Sequence, residues 1–132
     1  AIIPQLKSKA HSTIINVGSI AGKEVYPNGN VYCATKHAVD AITQGMRIDL
    51  LPHGVRVGSL CPGAVETEFS LVRYRGDAAK AKAVYAGYQP LSPDDVAEAV
   101  AFMVSRPAHV CINDMLIMPA AQASGQHFRR EG

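Results

Sequence analysis

The stretch TIINVGSIAGKEVYPNGNVYCATKHAVDAITQGMRIDLLPHGVRVGSL, residues 13–60, passes from strand to turn to helix and back to strand. TIINV (13–17) is a short β-branched apolar run, the composition of a strand buried on both faces of a parallel sheet. Gly18-Ser19 closes it, and Gly22, Pro27, Asn28 and Gly29 make the following segment turn-rich. Over residues 30–51 the period becomes helical. Val31, Ala34, Ala38, Ala41, Ile42 and Gly45 share one small-residue stripe, with Val39 and Met46 beside it. That stripe can belong to the core or pack against a second copy of the chain. Gly54 stands where a helix stop is expected, and VRVGSL (55–60) gives a second strand ended by Cys61-Pro62-Gly63.

Working outward, residues 66–90 are polar and carry Arg and Ala, with one short helix expected around 77–85. Ser92-Pro93-Asp94-Asp95 is a helix start: Ser as N-cap, Pro at the first helical position, acids in the first turn. That helix (96–105) leads through Pro107 to a third strand, MLIM (115–118). Strands alternating with helices predict an α/β fold with a parallel, doubly wound sheet of Rossmann type. Three strands are few for such a sheet. With Ala1 in place of a start Met, they lead to the expectation of one partial domain over 1–132, the C-terminal half of a longer fold. The segment before residue 11 has the look of a helix tail.

Composition sets the boundaries. The chain has 132 residues, 48% hydrophobic and 18% charged, which suits a globular core and argues against disorder. No apolar run nears the ~20 residues of a membrane span, so a soluble, cytoplasmic protein without a membrane partner is expected. A net charge of +2 with one short basic cluster, Arg129-Arg130, argues against a nucleic-acid partner. Cys33, Cys61 and Cys111 form no metal-ligand pattern and read as small hydrophobes of a reducing compartment. The five histidines are scattered without ligand spacing, and no metal is expected.

The chemistry concentrates around Tyr32 and Lys36, four apart on one helix face. A phenol with a reference pKa of about 10 is a poor base at neutral pH. A fixed ammonium beside it stabilises the phenolate, and can also donate hydrogen bonds to a diol. Five tyrosines and six lysines make this spacing a weak signal alone, and Lys36 can equally pair with Asp40 at i+4. Position strengthens it. Ser19 follows the first strand at its carboxyl end, where open α/β sheets bind ligands, and the Tyr-bearing helix starts just beyond. Pro62-Gly63 puts a tight turn on the same edge. Ser19 as a turn cap and Pro62-Gly63 as an ordinary turn are the plainer alternatives.

IINVGSIAG (14–22), VYCATKHAV (31–39) and RVGSLCPGAVETEF (56–69) together resemble the short-chain dehydrogenases/reductases, over essentially the whole chain. TEFSLVRYRGDAAKA (67–81), PAHVCIND (107–114) and LIMPAAQAS (116–124) are similar to the NADP-dependent 3-hydroxy acid, serine-dehydrogenase-like branch. The resemblance implies that Ser19 hydrogen-bonds the substrate oxygen and Tyr32 exchanges the alcohol proton. It implies that Lys36 assists Tyr32 and grips the nicotinamide ribose. Pro62, Gly63, Ala64, Val65 and Thr67 would form the cofactor loop, with backbone at 63–65 facing the carboxamide and Thr67 a phosphate. NADP is the implied cofactor, with NAD the alternative, and the implied substrate is a small 3-hydroxy acid or another secondary alcohol or carbonyl compound. Arg73 or Arg75, in the lid segment, can offer a carboxylate a bidentate fork, Arg73 being the one assigned to the substrate. Homodimers or homotetramers are implied for the full-length protein.

The family's Gly-rich phosphate turn, its NNAG segment and its upstream catalytic Asn have no counterpart in 1–132, and the central strands lacking with them are expected to leave the edge of residues 13–17 unpaired and apolar. A nucleotide-sugar epimerase or dehydratase shares Tyr-xxx-Lys but usually adds a larger C-terminal domain. An inactive or cofactor-deficient fragment or scaffold of the same fold is the remaining alternative. With the adenine-binding half lacking, the 132-residue chain by itself is expected to bind cofactor poorly and turn over little, and full activity of the purified chain would refute this.

Overall fold

The computed structural model describes residues 2–9 and 11–131. Helix α1 (Ile3–Lys7) precedes strand β1 (Thr13–Val17) and a 3-10 turn (Ile20–Gly22). The long helix α2 (Asn30–Leu50) returns to strand β2 (Arg56–Pro62). Short helices α3 (Phe69–Arg73) and α4 (Ala78–Ala83), then α5 (Pro93–Val104), lead to strand β3 (Asp114–Ile117). The strands form one parallel sheet in the order β1-β2-β3. Thr13 sits opposite Arg56 and Val17 opposite Leu60, while Ser59 faces Asp114 and Pro62 faces Ile117.

Pairing decides burial. β2 lies between two partners and is buried from Val57 to Pro62, with Val57 and Leu60 fully enclosed. TIINV has the composition of a strand buried on both faces, and here the structure differs: its residues are half-buried and Val17 is exposed. The unpaired apolar edge expected for this chain is present, since among the described residues β1 pairs with β2 alone. Such an edge is a template for further pairing.

A parallel pair needs a crossover, and α2 supplies it by running back from the carboxyl end of β1. Its sheet-facing side is set by Cys33, Thr43 and Leu50, all buried, with half-buried Tyr32, Lys36, Val39 and Met46 on the same side. The small-residue stripe is thereby resolved. Val31, Ala34, Ala38, Ala41 and Ile42 are exposed, so the stripe is surface rather than core. The sheet took the adjoining face instead, where Thr43 is satisfied by donating to the Val39 carbonyl (2.7 Å) and accepting from Asn16 Nδ2 (2.9 Å). A buried hydroxyl is tolerated when both its roles are filled.

The other joints follow from local chemistry. Ser92 Oγ accepts from the Asp95 amide (3.2 Å) while Asp95 Oδ2 accepts from the Ser92 amide (2.7 Å), a reciprocal cap that starts α5 at Pro93. The Arg56 guanidinium donates to the carbonyls of Arg106, Pro107 and Val110 and to Thr13 Oγ1, fastening the exit of α5 to the sheet. Leu50, Val55 and Val57 make a core patch covered by Ile3, Leu6, Ile14 and Met46. No helix among the described residues is long and apolar enough to cross a membrane.

Lys23, just past the 3-10 turn, reaches Asp40 of α2 and Asp114 of β3, each at 2.8 Å. Burial disfavours the Lys23 ammonium, but the hydrogen bonds to Asp114 and Asp40 outweigh it and raise its pKa. The Lys23 hydrogen bond chiefly holds the Asp40 carboxyl below its ordinary 3.8. The native carboxyl therefore binds its proton less tightly than the unfolded one. Its stabilisation is complete above the ordinary value and drains away as pH falls through the lower native value. Asp40→Asn should cost about 1–2 kcal/mol at pH 7 in denaturant titrations, with the difference from wild type shrinking below about pH 4. A difference independent of pH would contradict this.

Candidate active site

At the carboxyl edge of the sheet, the amide of Gly18 still donates to the Leu60 carbonyl (2.7 Å), carrying the ladder one residue past β1. Ser19 then extends (φ −174°) and caps the 3-10 turn, its Oγ accepting from the Ala21 amide (3.1 Å). The turn-cap role weighed from sequence is therefore present. It does not exhaust the side chain, because a hydroxyl that accepts one hydrogen bond still has its proton to donate. Gly22 lets this turn lie against α2: a Cβ there would come within 2.8 Å of the Lys36 carbonyl oxygen.

Ser19 and Tyr32 line one cavity of about 410 Å³. The Phe69 ring packs on the Tyr32 ring, centroids 5.6 Å apart at 45°. Lys36 Nζ lies 5.8 Å from the Tyr32 ring centroid and 3.4 Å from the Val17 carbonyl oxygen, off the cavity wall. The Lys36–Asp40 pairing considered from sequence does not form, since Asp40 is taken by Lys23. Among the described residues Lys36 has no carboxylate partner.

Pro62, Gly63, Ala64, Val65 and Thr67 line the same cavity. The backbone reading of this loop needs narrowing. The Gly63 amide donates to the Ile117 carbonyl (2.8 Å) and the Ala64 amide to Gln122 Oε1 (2.8 Å). The Ala64 carbonyl accepts from the Leu91 amide (3.0 Å), and the Val65 carbonyl from Tyr85 Oη (2.9 Å). Among the described hydrogen bonds none engages the Val65 amide. Of the three loop amides, Val65 N–H is the one left to meet a ligand. Thr67 Oγ1 accepts from the Phe69 amide (3.2 Å), so its proton is likewise free to donate.

The structure separates the two arginines. Arg73 lines the cavity and its guanidinium carbon sits 5.8 Å from the Tyr26 ring centroid. Arg75 adopts a left-handed conformation (φ 53°) and is not part of the wall. Arg73 is the only charged side chain among the described residues lining the cavity. Burial raises the pKa of Tyr26 and the neighbouring Arg73 opposes that rise. Cys33 and Cys61 are buried packing residues, and burial pushes the Cys61 thiol up, the direction of an unreactive thiol.

Sequence reading passed over Tyr26, Phe69, Ser70, Tyr85 and Gln122, all in the wall. Gln122 is buried and bridges the Ala64 amide to the Ser124 carbonyl. Its signal was an amide side chain inside the otherwise apolar LIMPAAQA run. The cavity is lined by the Tyr32 phenol, the free hydroxyl protons of Ser19 and Thr67 and the free Val65 amide, with Arg73 as its cation. That set fits a nicotinamide group: the Val65 amide suits its carboxamide and the volume suits a small ring with a small substrate.

Known proteins are similar to this chain in sequence and in fold. The sequence matches the short chain dehydrogenase family over residues 1–77. It is 43% identical over 131 residues to the NADP-dependent 3-hydroxy acid dehydrogenase of Schizosaccharomyces pombe, covering 99% of this chain and 51% of that protein. It is 44% identical to sulfoacetaldehyde reductase 2 of Chromohalobacter salexigens, covering 93% and 49%. Among solved structures, the closed form of a serine dehydrogenase complexed with NADP+ superposes with a TM-score of 0.90 at 41% identity, covering 99% of this chain and 53% of that one. The chain spans about half the length of these proteins.

A Cβ at Gly63 would press on the Gln122 amide and come within 2.7 Å of Met118 Sδ. Gly63→Ala should therefore destabilise the chain by about 1–3 kcal/mol in denaturant unfolding. Unchanged stability would mean that Gln122 does not hold the loop as described.

Proposed function

The chain belongs to the short-chain dehydrogenase family, and on that footing we propose that it forms the catalytic portion, one partial Rossmann-type domain over 1–132, of an NADP(H)-dependent oxidoreductase acting on a small anionic hydroxy or carbonyl compound. The observation that carries this reading is the shared cavity, lined together by Ser19, Tyr32, Pro62, Gly63, Ala64, Val65, Thr67 and Arg73. The NADP-dependent relatives support NADP over NAD. When bound, the cofactor supplies the two-electron exchange with the substrate carbon.

The chain's own residues do the rest. Ser19 donates its free proton to the substrate oxygen, fixing the reacting carbon. Tyr32 Oη gives a proton to that oxygen in reduction and takes it in oxidation. Lys36, without a competing carboxylate, stabilises negative charge on the phenol oxygen and would hold the ribose hydroxyls. Val65 N–H would hold the carboxamide and Thr67 a phosphate oxygen. This is positioning and charge stabilisation around chemistry supplied by the cofactor.

A lone cation in the wall selects for one anionic group on the substrate. A 3-hydroxy acid, serine or sulfoacetaldehyde, the compounds for which the similar proteins are named, each carries one. The exposed face of Val31, Ala34, Ala38, Ala41 and Ile42 is the surface on which copies would associate.

In the full-length polypeptide, Tyr32→Phe should lower kcat by about 10²–10⁴ while NADPH affinity stays within about twofold. Retained turnover would remove Tyr32 from the chemistry. Arg73→Ala should raise KM for a 3-hydroxy acid by about 10–100-fold and leave a neutral secondary alcohol unaffected. An unchanged KM for the acid would refute the anion-binding role.

A further inference from the structure

Helix α3 is a single turn and a half, yet it touches three parts of the site. Phe69 packs on the Tyr32 ring, Arg73 leans over Tyr26 at the cavity margin, and between them Ser70 is buried with its Oγ 2.7 Å from Tyr85 Oη. The direction of that last hydrogen bond follows from proton counting. Tyr85 has one hydroxyl proton and donates it to the Val65 carbonyl (2.9 Å). Ser70 must therefore be the donor to Tyr85. The result is a directed chain, Ser70 O–H to Tyr85 O–H to Val65 C=O, in which each bond polarises and strengthens the next.

We infer that Tyr85 is a positioning residue that ties the anion-reading helix α3 to the cofactor loop and so sets the aim of the free Val65 amide. This rests on the NADP(H) reading proposed above. The peptide planes on either side of Val65 explain how. The Ala64 carbonyl is drawn toward the Leu91 amide, and in a trans peptide the Val65 N–H then points the opposite way. The next plane is held by Glu66 N–H on the Leu91 carbonyl (2.8 Å) and by Tyr85 on the Val65 carbonyl. Of these restraints, Tyr85 is the one supplied by the lid segment. It is also the one connected to the helix that carries Arg73. An anion seated on Arg73 draws on α3, and Ser70, three residues earlier on that helix, passes the position to Val65 through Tyr85. Substrate and nicotinamide are thereby positioned together.

The test uses Tyr85→Phe and Ser70→Ala in the full-length polypeptide, with dissociation constants for NADPH and for 2′-phospho-ADP-ribose, which carries the adenine half and no nicotinamide. Tyr85→Phe should weaken NADPH about five- to tenfold, the loss of one buried hydrogen bond, and leave 2′-phospho-ADP-ribose unchanged. Ser70→Ala should weaken NADPH about two- to fivefold with the same selectivity, and it carries the test alone if Tyr85→Phe does not fold. Equal weakening of both ligands, or of neither, overturns the assignment of Tyr85. A wild-type protein that binds neither ligand sinks the cofactor reading and this inference with it, whereas wild-type binding matched by both variants sinks this inference alone.

Discussion

A parallel ladder cannot close on itself with a tight turn, and that constraint organises the molecule. β1 and β2 run the same way, so α2 must start where β1 ends and travel back over the sheet. The first turns of α2 consequently stand at the carboxyl edge. The residues there that face the sheet, Tyr32 and Lys36, are brought to the end of β1 and its Ser19. The same helix face, followed further down, becomes the buried contact through Thr43 and Leu50. Packing that holds the helix and chemistry that uses it share one stripe. The Lys23 bridge to Asp40 and Asp114 fastens the helix to the sheet at its middle, and it occupies the carboxylate that would otherwise neutralise Lys36.

The loop after β2 is built by a different device. At residues 63–66 its amides at Gly63, Ala64 and Glu66 and its carbonyls at Ala64 and Val65 are taken by neighbours distant in sequence: Ile117, Gln122, Leu91 and Tyr85. Satisfying those groups fixes the peptide planes around Val65, whose own amide has no partner among the described hydrogen bonds. A donor without a protein partner at a cavity wall is a recognition element, since a ligand acceptor supplies the missing hydrogen bond.

Strands, helix starts and catalytic candidates were legible because each is written locally. The β-branched run at 13–17, the Ser92-Pro93 start and the Tyr32–Lys36 spacing need no knowledge of the rest of the chain. Two features were not legible. The buried side of α2 was hidden because one of its two fully buried residues is Thr43, a polar residue admitted by hydrogen bonds to Asn16 and Val39. The unpaired edge of β1 was legible only by way of the family resemblance, because the number of neighbours a strand has is not encoded in its own residues. Gln122, Tyr85 and Ser70 were missed because their roles are fixed by partners 15 to 58 residues away.

The central claim is that the Ser19 hydroxyl and the Tyr32 phenol act on one oxygen atom in one cavity. A crystal structure of the full-length polypeptide with NADP+ and a 3-hydroxy acid tests it most directly. The account predicts the substrate hydroxyl within about 3 Å of both Ser19 Oγ and Tyr32 Oη, with its carboxylate toward Arg73. A substrate hydrogen-bonded to neither hydroxyl, or a nicotinamide lying away from the Val65 amide, would contradict it.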